Sequence, residues 1–243
     1  MRFIDWFPYY QDVRQQFGYS TEKDQEAANM LSKMIKKKAL DIKVLQRKIA
    51  RRQVIAIGAG DSLIPNIKFI KQHRRFVKIV ADGATGALIK NHIKPDIVVT
   101  DLDGDTSFLR KAERAGAIIV VHSHGDNVEE LKKIVPTLRH VIGSTQVMPV
   151  ENVYNFGGFT DGDRCVFLAD EFGAEEIVLV GMEFGDRIGE HSKKAVKNVE
   201  LKREKMKVGK RLLEMLAKRS RSRLFDTSQR PIRGFTHLNI EYN

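Results

Sequence analysis

Short apolar runs alternate with amphipathic segments along the chain from residue 53 onward. Each run is rich in Val and Ile and is bounded by polar residues or glycine, a pattern typical of strands buried on both faces of a sheet. Strands are predicted at 53–58, 76–81, 96–100, 117–121, 139–143 and 176–181. Helices are predicted at 64–73, 84–92, 108–115, 128–135 and 164–172. The alternation predicts an α/β fold, with a mostly parallel, Rossmann-like sheet covered by helices on both faces.

The first fifty residues have a helical pattern instead. Aromatic residues are concentrated in 3–10, and Thr21 with Asp24 resembles a capping box ahead of a long segment with helical spacing. We therefore predict a helical N-terminal region, residues 1–52, followed by an α/β domain, residues 53–243. The tail, residues 225–243, is expected to add a strand or a covering loop.

Composition excludes several classes of protein. The apolar fraction of 42% and the charged fraction of 30% are those of a globular protein. No apolar run approaches the roughly 18 residues of a membrane span, and Asp5 and Pro8 interrupt the start of the chain too early for a signal peptide. The single cysteine, Cys165, cannot form an internal disulfide, so a buried, inert thiol and a cytoplasmic location are expected.

The net charge of +11 is concentrated in one segment. Residues 193–223 hold 13 Lys or Arg and 3 Glu, so nearly all of the excess lies there. Apolar residues recur in that segment at helical spacing, which predicts a long basic helix with an apolar stripe: Val196, Val199, Val208, Leu212, Leu213 and Leu216. A solvated basic face, an anion site and a nucleic-acid surface are all compatible with this pattern.

Carboxylates follow the third predicted strand. Asp101, Asp103 and Asp105 come directly after the strand that ends at Thr100. Like charges at this spacing repel one another, and a bound Mg²⁺ with oxygen ligands would remove the conflict. An acidic, solvated turn is the alternative interpretation.

Two other turns also present carboxylates. Asp161 and Asp163 follow a glycine pair at the start of a predicted helix, where one acid would serve as a cap but two exceed that need. Asp82 stands at the end of the second predicted strand. Because the carboxyl ends of parallel strands meet at one edge of a sheet, these acids are expected to lie near the ligand-binding edge.

A glycine-rich loop follows the first strand. Gly58, Gly60, Asp61 and Ser62 precede a helix, an arrangement that lets backbone approach a phosphate. Leu63 replaces the third glycine of a dinucleotide fingerprint, but Asp82 stands where such a fold places its ribose acid. A site for NAD or a methyl donor therefore stays open as an alternative.

Histidines alternate after the fourth strand. His122 and His124 precede Asp126 and Asn127. Two histidines alone do not complete a zinc site, and no further ligands follow at a recognisable spacing. Polar contacts to a phosphate or a base are the favoured interpretation.

Together these motifs resemble a known family. ADGATGALIKNHIKPDIVVTDLDG at 81–104 and the segment from FTDGDR at 159–164 onward are similar to signatures of thiamin pyrophosphokinases. The resemblance to archaeal 6-hydroxymethyl-7,8-dihydropterin pyrophosphokinases of the methanopterin pathway is closer and covers nearly the whole chain, including IGAGDSL at 57–63 and VHSHGDN at 121–127. Thr100, Ala84 and Gly104 depart from the thiamin enzymes, which argues against thiamin as the acceptor.

The resemblance implies ATP-dependent transfer of diphosphate to the hydroxymethyl group of a reduced pterin, with release of AMP. It implies Mg²⁺ as the cofactor, ATP as the co-substrate, Asp101, Asp103 and Asp161 as catalytic residues, and these three with Asp82 as metal ligands. The remaining expected contacts to nucleotide or acceptor are Gly58, Gly60, Asp61, Ser62, Asp82, Gly83, His122, His124, Asp126 and Arg187. Candidates for reading the pterin edge are Asp186, Glu183 and Asn127.

The expected partners are the pterin and ATP, with a possible homodimer, no specific nucleic acid and no membrane. The alternatives are a thiamin pyrophosphokinase-like enzyme with another acceptor and a nucleotide- or RNA-binding module.

Overall fold

The computed structural model describes residues 3–184 and 198–240. Its strands are β1 Gln53–Ile57, β2 Val77–Ala81, β3 Ile97–Thr100, β4 Ile118–Ser123, β5 Val141–Thr145, β6 Val153–Tyr154, β7 Glu176–Val180, β8 Arg223–Asp226 and β9 Thr236–His237. Its helices are α1 Phe3–Phe17, α2 Thr21–Ile35, α3 Lys43–Ile49, α4 Ile67–Gln72, α5 Asp82–Lys90, α6 Thr106–Arg114, α7 Val128–Ile134, α8 Asp161–Glu171 and α9 Val199–Ala217.

The strands form one sheet in the order β6-β5-β4-β3-β2-β1-β7-β8-β9. All pairs between these strands are parallel. The chain runs outward from β1 to β6, and α8 then returns it to β7 on the other side of β1. The predicted α/β fold with a parallel sheet is confirmed, and the short strand β9 confirms that the tail adds a strand.

Apolar side chains cover both faces of the sheet. On one face, Val54 and Ile79 pack in a core that includes residues of α2, α8 and α9; on the other, Ile55 and Val80 pack with residues of α4 and α5. Among the described helices, none is long and apolar enough to span a bilayer.

The helical N-terminal region shares the larger core. Trp6, Tyr10, Leu31 and Leu45 belong to the same apolar cluster as the sheet residues. Leu40 also donates its backbone N–H to the carbonyl of Val141 on β5, at 2.9 Å. The predicted helical character of this region is confirmed, and its helices pack directly against the sheet.

The predicted capping box at Thr21 and Asp24 is wrong. Ser20 is the N-cap of α2, and its hydroxyl accepts from the backbone N–H of Lys23. Asp24 is buried and its carboxylate accepts hydrogen bonds from outside the helix.

The predicted basic helix 193–223 is shorter than expected. Within the described residues, α9 ends at Ala217, and Arg223 begins β8, so the change from helical to strand spacing was missed. Val208, Leu212, Leu213 and Leu216 form the buried stripe as predicted. Val199 is 48% exposed instead, and Val196 lies outside the described residues.

Candidate functional site

The acidic loop after β3 carries an unusual backbone. Leu102, between Asp101 and Asp103, has a φ of 68° and a buried side chain. A left-handed conformation costs a non-glycine residue roughly 1–2 kcal/mol. A left-handed turn, and not an extended chain, therefore positions the two carboxylates. Such strain is found where the surrounding structure fixes a functional geometry.

Asp82 is held against this loop. It is the first residue of α5 and is buried, and its Oδ2 accepts from the Thr100 hydroxyl at 2.6 Å and from the Gly104 N–H at 3.2 Å. The Thr100 hydroxyl in turn accepts from the N–H of Leu102 at 2.8 Å. Thr100 and Gly104, two departures from the thiamin enzymes, thus both contact Asp82.

Three carboxylates form a potential cation site. One oxygen each of Asp82, Asp101 and Asp103 lies within 4.8 Å of the others, with burial that decreases from Asp82 to Asp103. All the ligand atoms of this group are hard carboxylate oxygens. Mg²⁺ binds six oxygen ligands in an octahedron at about 2.1 Å, and carboxylate oxygens this close together can contact one such ion. The residues present therefore fit Mg²⁺. In the ranges 3–184 and 198–240, no histidine joins a group of this kind.

The two acids of the second acidic motif, Asp161 and Asp163, make different contacts. Asp163 caps α8, because its carboxylate accepts from the backbone N–H groups of Phe159 at 2.6 Å and Thr160 at 2.7 Å. Burial raises the pKa of Asp163. Asp161 is also buried, and its Oδ1 lies 3.6 Å from a terminal nitrogen of Arg164. The group of three carboxylates does not include Asp161.

The glycine loop packs against the loop that follows β7. The N–H of Gly58 donates to the Val180 carbonyl at 2.9 Å, and the N–H of Gly60 donates to the Gly181 carbonyl at 2.8 Å. A Cβ at Gly60 would collide with Gly181 and Glu183. Ser62 donates to the Glu183 carboxylate, and Asp61 begins a short 3₁₀ turn. These glycines are thus required for the close approach of two loops at the β1–β7 crevice.

The loop after β4 is braced by Asn127. Its side-chain amide donates to the carbonyls of Asp101 and His122, both at 2.8 Å, and its Oδ1 accepts from the N–H of His124 at 3.0 Å. This amide joins the acidic loop to the histidine loop. Since its donors and its acceptor are engaged, it is a structural brace in this arrangement.

Both histidines are neutral in this environment. Burial is the main cause that lowers the pKa of His122 well below its usual value, and the nearby positive charge of Arg164 adds to it. Burial also lowers the pKa of His124. His124 Nδ1 accepts from the N–H of Asp126 at 3.2 Å, so its Nε2 carries the proton. His124 is therefore a hydrogen-bond donor toward any ligand.

A cavity of about 260 Å³ opens beside the carboxylates. Its lining includes Asp101, Asp103, His124, Asp126 and Asn127, all singled out from the sequence. The lining residues that the sequence did not reveal are Tyr19, Glu130, Gln146, Phe159, Arg164 and Lys205. Phe159 and Arg164 stand inside the FTDGDR motif, whereas nothing in the sequence distinguishes Tyr19 or Lys205 from their neighbours.

Aromatic rings form one wall of the cavity. Phe17 stacks on Phe159 with ring centroids 5.3 Å apart and on Tyr19 at 5.8 Å. Lys205 of α9 places its ammonium 5.6 Å from the Tyr19 ring centre and 5.9 Å from that of Phe159. The N-terminal region and the basic helix thus both contribute to the site.

Asp24 connects the N-terminal region to the cavity. Its Oδ1 accepts from the N–H of Gly125 at 2.7 Å, and its Oδ2 accepts from Tyr10 at 2.8 Å and Gln146 at 2.7 Å. Burial raises the pKa of Tyr10, so the phenol remains a donor. The Asp24 carboxylate thereby fixes both the histidine loop and a cavity-lining amide.

The other predicted site residues lie elsewhere. Gly83 is in the first turn of α5, where backbone N–H groups lack partners within the helix. Glu183 lies at the β1–β7 crevice and is not a lining residue of the cavity. Asp186 and Arg187 lie outside the described residues.

Comparison with known proteins identifies the family. The family model described as "6-hydroxymethylpterin diphosphokinase MptE-like" matches residues 25–189, which include the acidic loop, the histidine loop and the FTDGDR motif. The chain belongs to this family. The chain is also 41% identical over 233 residues to a 6-hydroxymethyl-7,8-dihydropterin pyrophosphokinase of Pyrococcus furiosus, with 94% of this chain and 100% of that protein covered.

Two other relatives carry the same name. The protein of Methanocaldococcus jannaschii is 40% identical, with 87% of this chain and 94% of the relative covered. The protein of Methanothermobacter thermautotrophicus is 38% identical, with 87% and 93% covered. The predicted resemblance to the archaeal family is confirmed.

A solved structure shares the fold. The MAf glycosyltransferase from Magnetospirillum magneticum AMB-1 matches with a TM-score of 0.50 at 18% identity. The match covers 78% of this chain and 34% of the glycosyltransferase, so the chain spans about a third of that protein. At this identity the likeness concerns the fold alone.

The buried histidines predict a pH dependence of stability. In the unfolded chain, His122 binds a proton below a pH of about 6.5. In the folded protein, the pKa of His122 is lower, so folding opposes this protonation. The free energy of unfolding should therefore fall as pH drops from 7.5 to 5.5, by up to about 1.4 kcal/mol per pH unit for each such histidine. Urea unfolding in EDTA measures this slope.

His122→Asn should flatten that slope, and substitution of the exposed His140 by Asn is the matched control. Equal slopes for wild type and His122→Asn would mean that His122 does not resist protonation in the folded state.

Proposed function

We propose that the protein transfers diphosphate from ATP to the hydroxymethyl group of 6-hydroxymethyl-7,8-dihydropterin and releases AMP. The observation that carries the proposal is the group of three carboxylates at the wall of a cavity, in a chain whose relatives are named for this reaction. Both parts are needed, because an acidic cluster alone is common without a metal.

The cavity is of a size for one heterocycle. Its volume of about 260 Å³ lies just below the roughly 300–1,000 Å³ of pockets that hold drug-sized ligands. The pterin would lie against Tyr19 and Phe159, and Glu130 is the carboxylate that would accept from its amino-pyrimidine edge. The nucleotide would then extend from the acidic loop toward Gly83 at the N-terminus of α5, because the N-terminal end of a helix favours phosphate.

Asp82, Asp101 and Asp103 would hold Mg²⁺. The ion supplies neutralisation of phosphate charge when it is bound. Asp161 is the further ligand predicted from the sequence. The remaining task of the protein is to hold the two reactants in line, which contributes much of the rate in such transfers.

The reaction forms one bond and breaks one bond. The hydroxymethyl oxygen of the pterin bonds to the β-phosphorus of ATP, and the bond from that phosphorus to the oxygen bridging to the α-phosphorus breaks. AMP leaves with the bridging oxygen. The hydroxyl proton goes to a carboxylate of the cavity wall, for which Asp126 is the candidate outside the cation group. His124 Nε2 donates toward the phosphate oxygens.

An assay of nucleotide products tests the proposal. Wild-type protein with ATP and Mg²⁺ should release AMP when 6-hydroxymethyl-7,8-dihydropterin is present and not when 6-methyl-7,8-dihydropterin replaces it. Formation of ADP would indicate an ordinary kinase. AMP release with thiamin or another heterocyclic alcohol in a panel of acceptors, and none with the pterin, would transfer the function to that acceptor.

A further inference from the structure

Arg164 is a buried cation with incomplete hydrogen bonding. The residue is only 7% exposed, and its Nε has no hydrogen-bond partner in the described part of the chain. One terminal nitrogen lies 3.6 Å from Asp161, and the other lies 3.5 Å from the side-chain oxygen of Gln146. A guanidinium has five N–H donors, and a buried charge is costly unless it is well paired. Two long contacts do not meet that requirement.

Arg164 is placed where a ligand can contact it. It lines the 260 Å³ cavity that also contains Asp101, Asp103 and Lys205. Arg164 also lines a second cavity of about 10 Å³, together with His122 and Ser144. That space holds about one water. An anion can therefore reach the guanidinium from the larger cavity but not from the smaller one.

Charge balance favours a polyphosphate there. Three carboxylates with one divalent cation leave a net negative wall, and an ATP triphosphate adds further negative charge. Neutralising this charge requires cations near the acidic loop. Among the described residues, the basic side chains of the cavity lining are Arg164 and Lys205. Only Arg164 is buried, and its planar fork matches two phosphate oxygens at once.

We infer that Arg164 binds the diphosphoryl group that is transferred, an assignment that rests on the proposed function. Its guanidinium and the carboxylates of Asp101 and Asp103 line the same cavity. Asp161 and Gln146 are positioning residues that orient the fork, and Asp24 holds Gln146 in turn. The buried acid Asp161 thereby has a role whether or not it also contacts a cation.

Binding of inorganic diphosphate tests the inference without any turnover. Titration calorimetry with diphosphate and Mg²⁺ compares wild type with Arg164→Met, Arg164→Lys and the control Arg110→Met. Arg110 is an exposed residue of α6. The affinity of Arg164→Met should fall by about 10- to 100-fold, the usual scale for losing charge-assisted hydrogen bonds. Arg164→Lys should fall less, because it keeps the charge and loses the fork.

AMP with Mg²⁺ provides the internal comparison. Its affinity should change by less than about threefold in each Arg164 variant, since AMP lacks the transferred group. Wild-type diphosphate affinity in Arg164→Met would overturn the inference, as would an equal loss in Arg110→Met. If Arg164→Met does not fold, a wild-type diphosphate affinity of Arg164→Lys would overturn it.

The two proposals fail separately. Absence of AMP release by the wild-type protein would sink the proposed function, whereas unchanged diphosphate binding in the variants would sink only the role of Arg164.

Discussion

Asp101→Asn and Asp103→Asn should each lower kcat for AMP release by about a thousandfold or more while the protein stays folded. Asparagine keeps the size and much of the hydrogen bonding of each side chain but removes a charge from a group whose oxygens lie within 4.8 Å of one another. The double variant should lose little beyond the single ones, because residues that act as a unit are not additive. Relief of like-charge repulsion should leave the melting temperature without Mg²⁺ unchanged or higher.

Asp105→Asn is the matched control. Asp105 is the third acid of the same loop, but its carboxylate caps α6 by accepting from the N–H of Ser107 at 2.9 Å. Asparagine is an equally good cap, so stability and turnover should stay near wild type. Melting curves with and without Mg²⁺ and ATP accompany the assay. Retention of turnover and of ligand-induced stabilisation by both Asp101→Asn and Asp103→Asn would place the metal site elsewhere and make these acids a solvated turn.

Gly104→Ala should also disable the site, through a steric effect. A Cβ at residue 104 would lie 2.5 Å from Cγ of Asp82, and the buried carboxylate has little room to retreat. Overpacking of this kind typically costs about 1–3 kcal/mol. We expect a comparable loss in the free energy of unfolding, a fall in kcat/KM of about a hundredfold, and loss of the stabilisation by Mg²⁺.

Gly162→Ala is the control for replacing a glycine by alanine without a steric clash. A Cβ there would meet its nearest neighbours only at 3.9 Å, and alanine favours the helix α8 by about 1 kcal/mol. Its stability should therefore rise or stay unchanged. Equal stability and equal response to Mg²⁺ in Gly104→Ala and wild type would show that Asp82 is free to move and is not fixed by this contact.

Local patterns predicted the sheet well and the element boundaries less well. All six predicted strands are present, because buried parallel strands are short and continuously apolar. The predicted helices at 84–92 and 164–172 begin earlier, at Asp82 and Asp161. Acidic residues assigned to turns are in the first helical turn, where carboxylates are compatible with the helix dipole. The two-residue strands β6 and β9 carry too few residues for a periodic signal.

Local sequence patterns predicted only part of the candidate site. Asp82, Asp101 and Asp103 were predicted together because all three follow strand ends, and the sheet brings those ends to one edge. The role of Asp163 as a cap could be predicted from the rules of helix capping. Which of the two acids, Asp161 or Asp163, faces Arg164 could not be predicted in this way. Tyr19 lies in the connection between α1 and α2, and Lys205 lies on α9. No local pattern encodes contacts between residues so far apart in the sequence.

The hydrogen bond from Gln146 to Asp24 has a consequence for how the protein folds. The two residues are 122 positions apart, and Gly125 contacts the same carboxylate from 101 positions away. Contacts of such sequence separation form late, because closing long loops costs entropy before the contact repays it. During synthesis, the first two helices must wait for β5 before their buried carboxylate is satisfied. A chain that starts at residue 53 would lack the carboxylate that holds Gly125 and Gln146, and it should fold, if at all, without an ordered histidine loop.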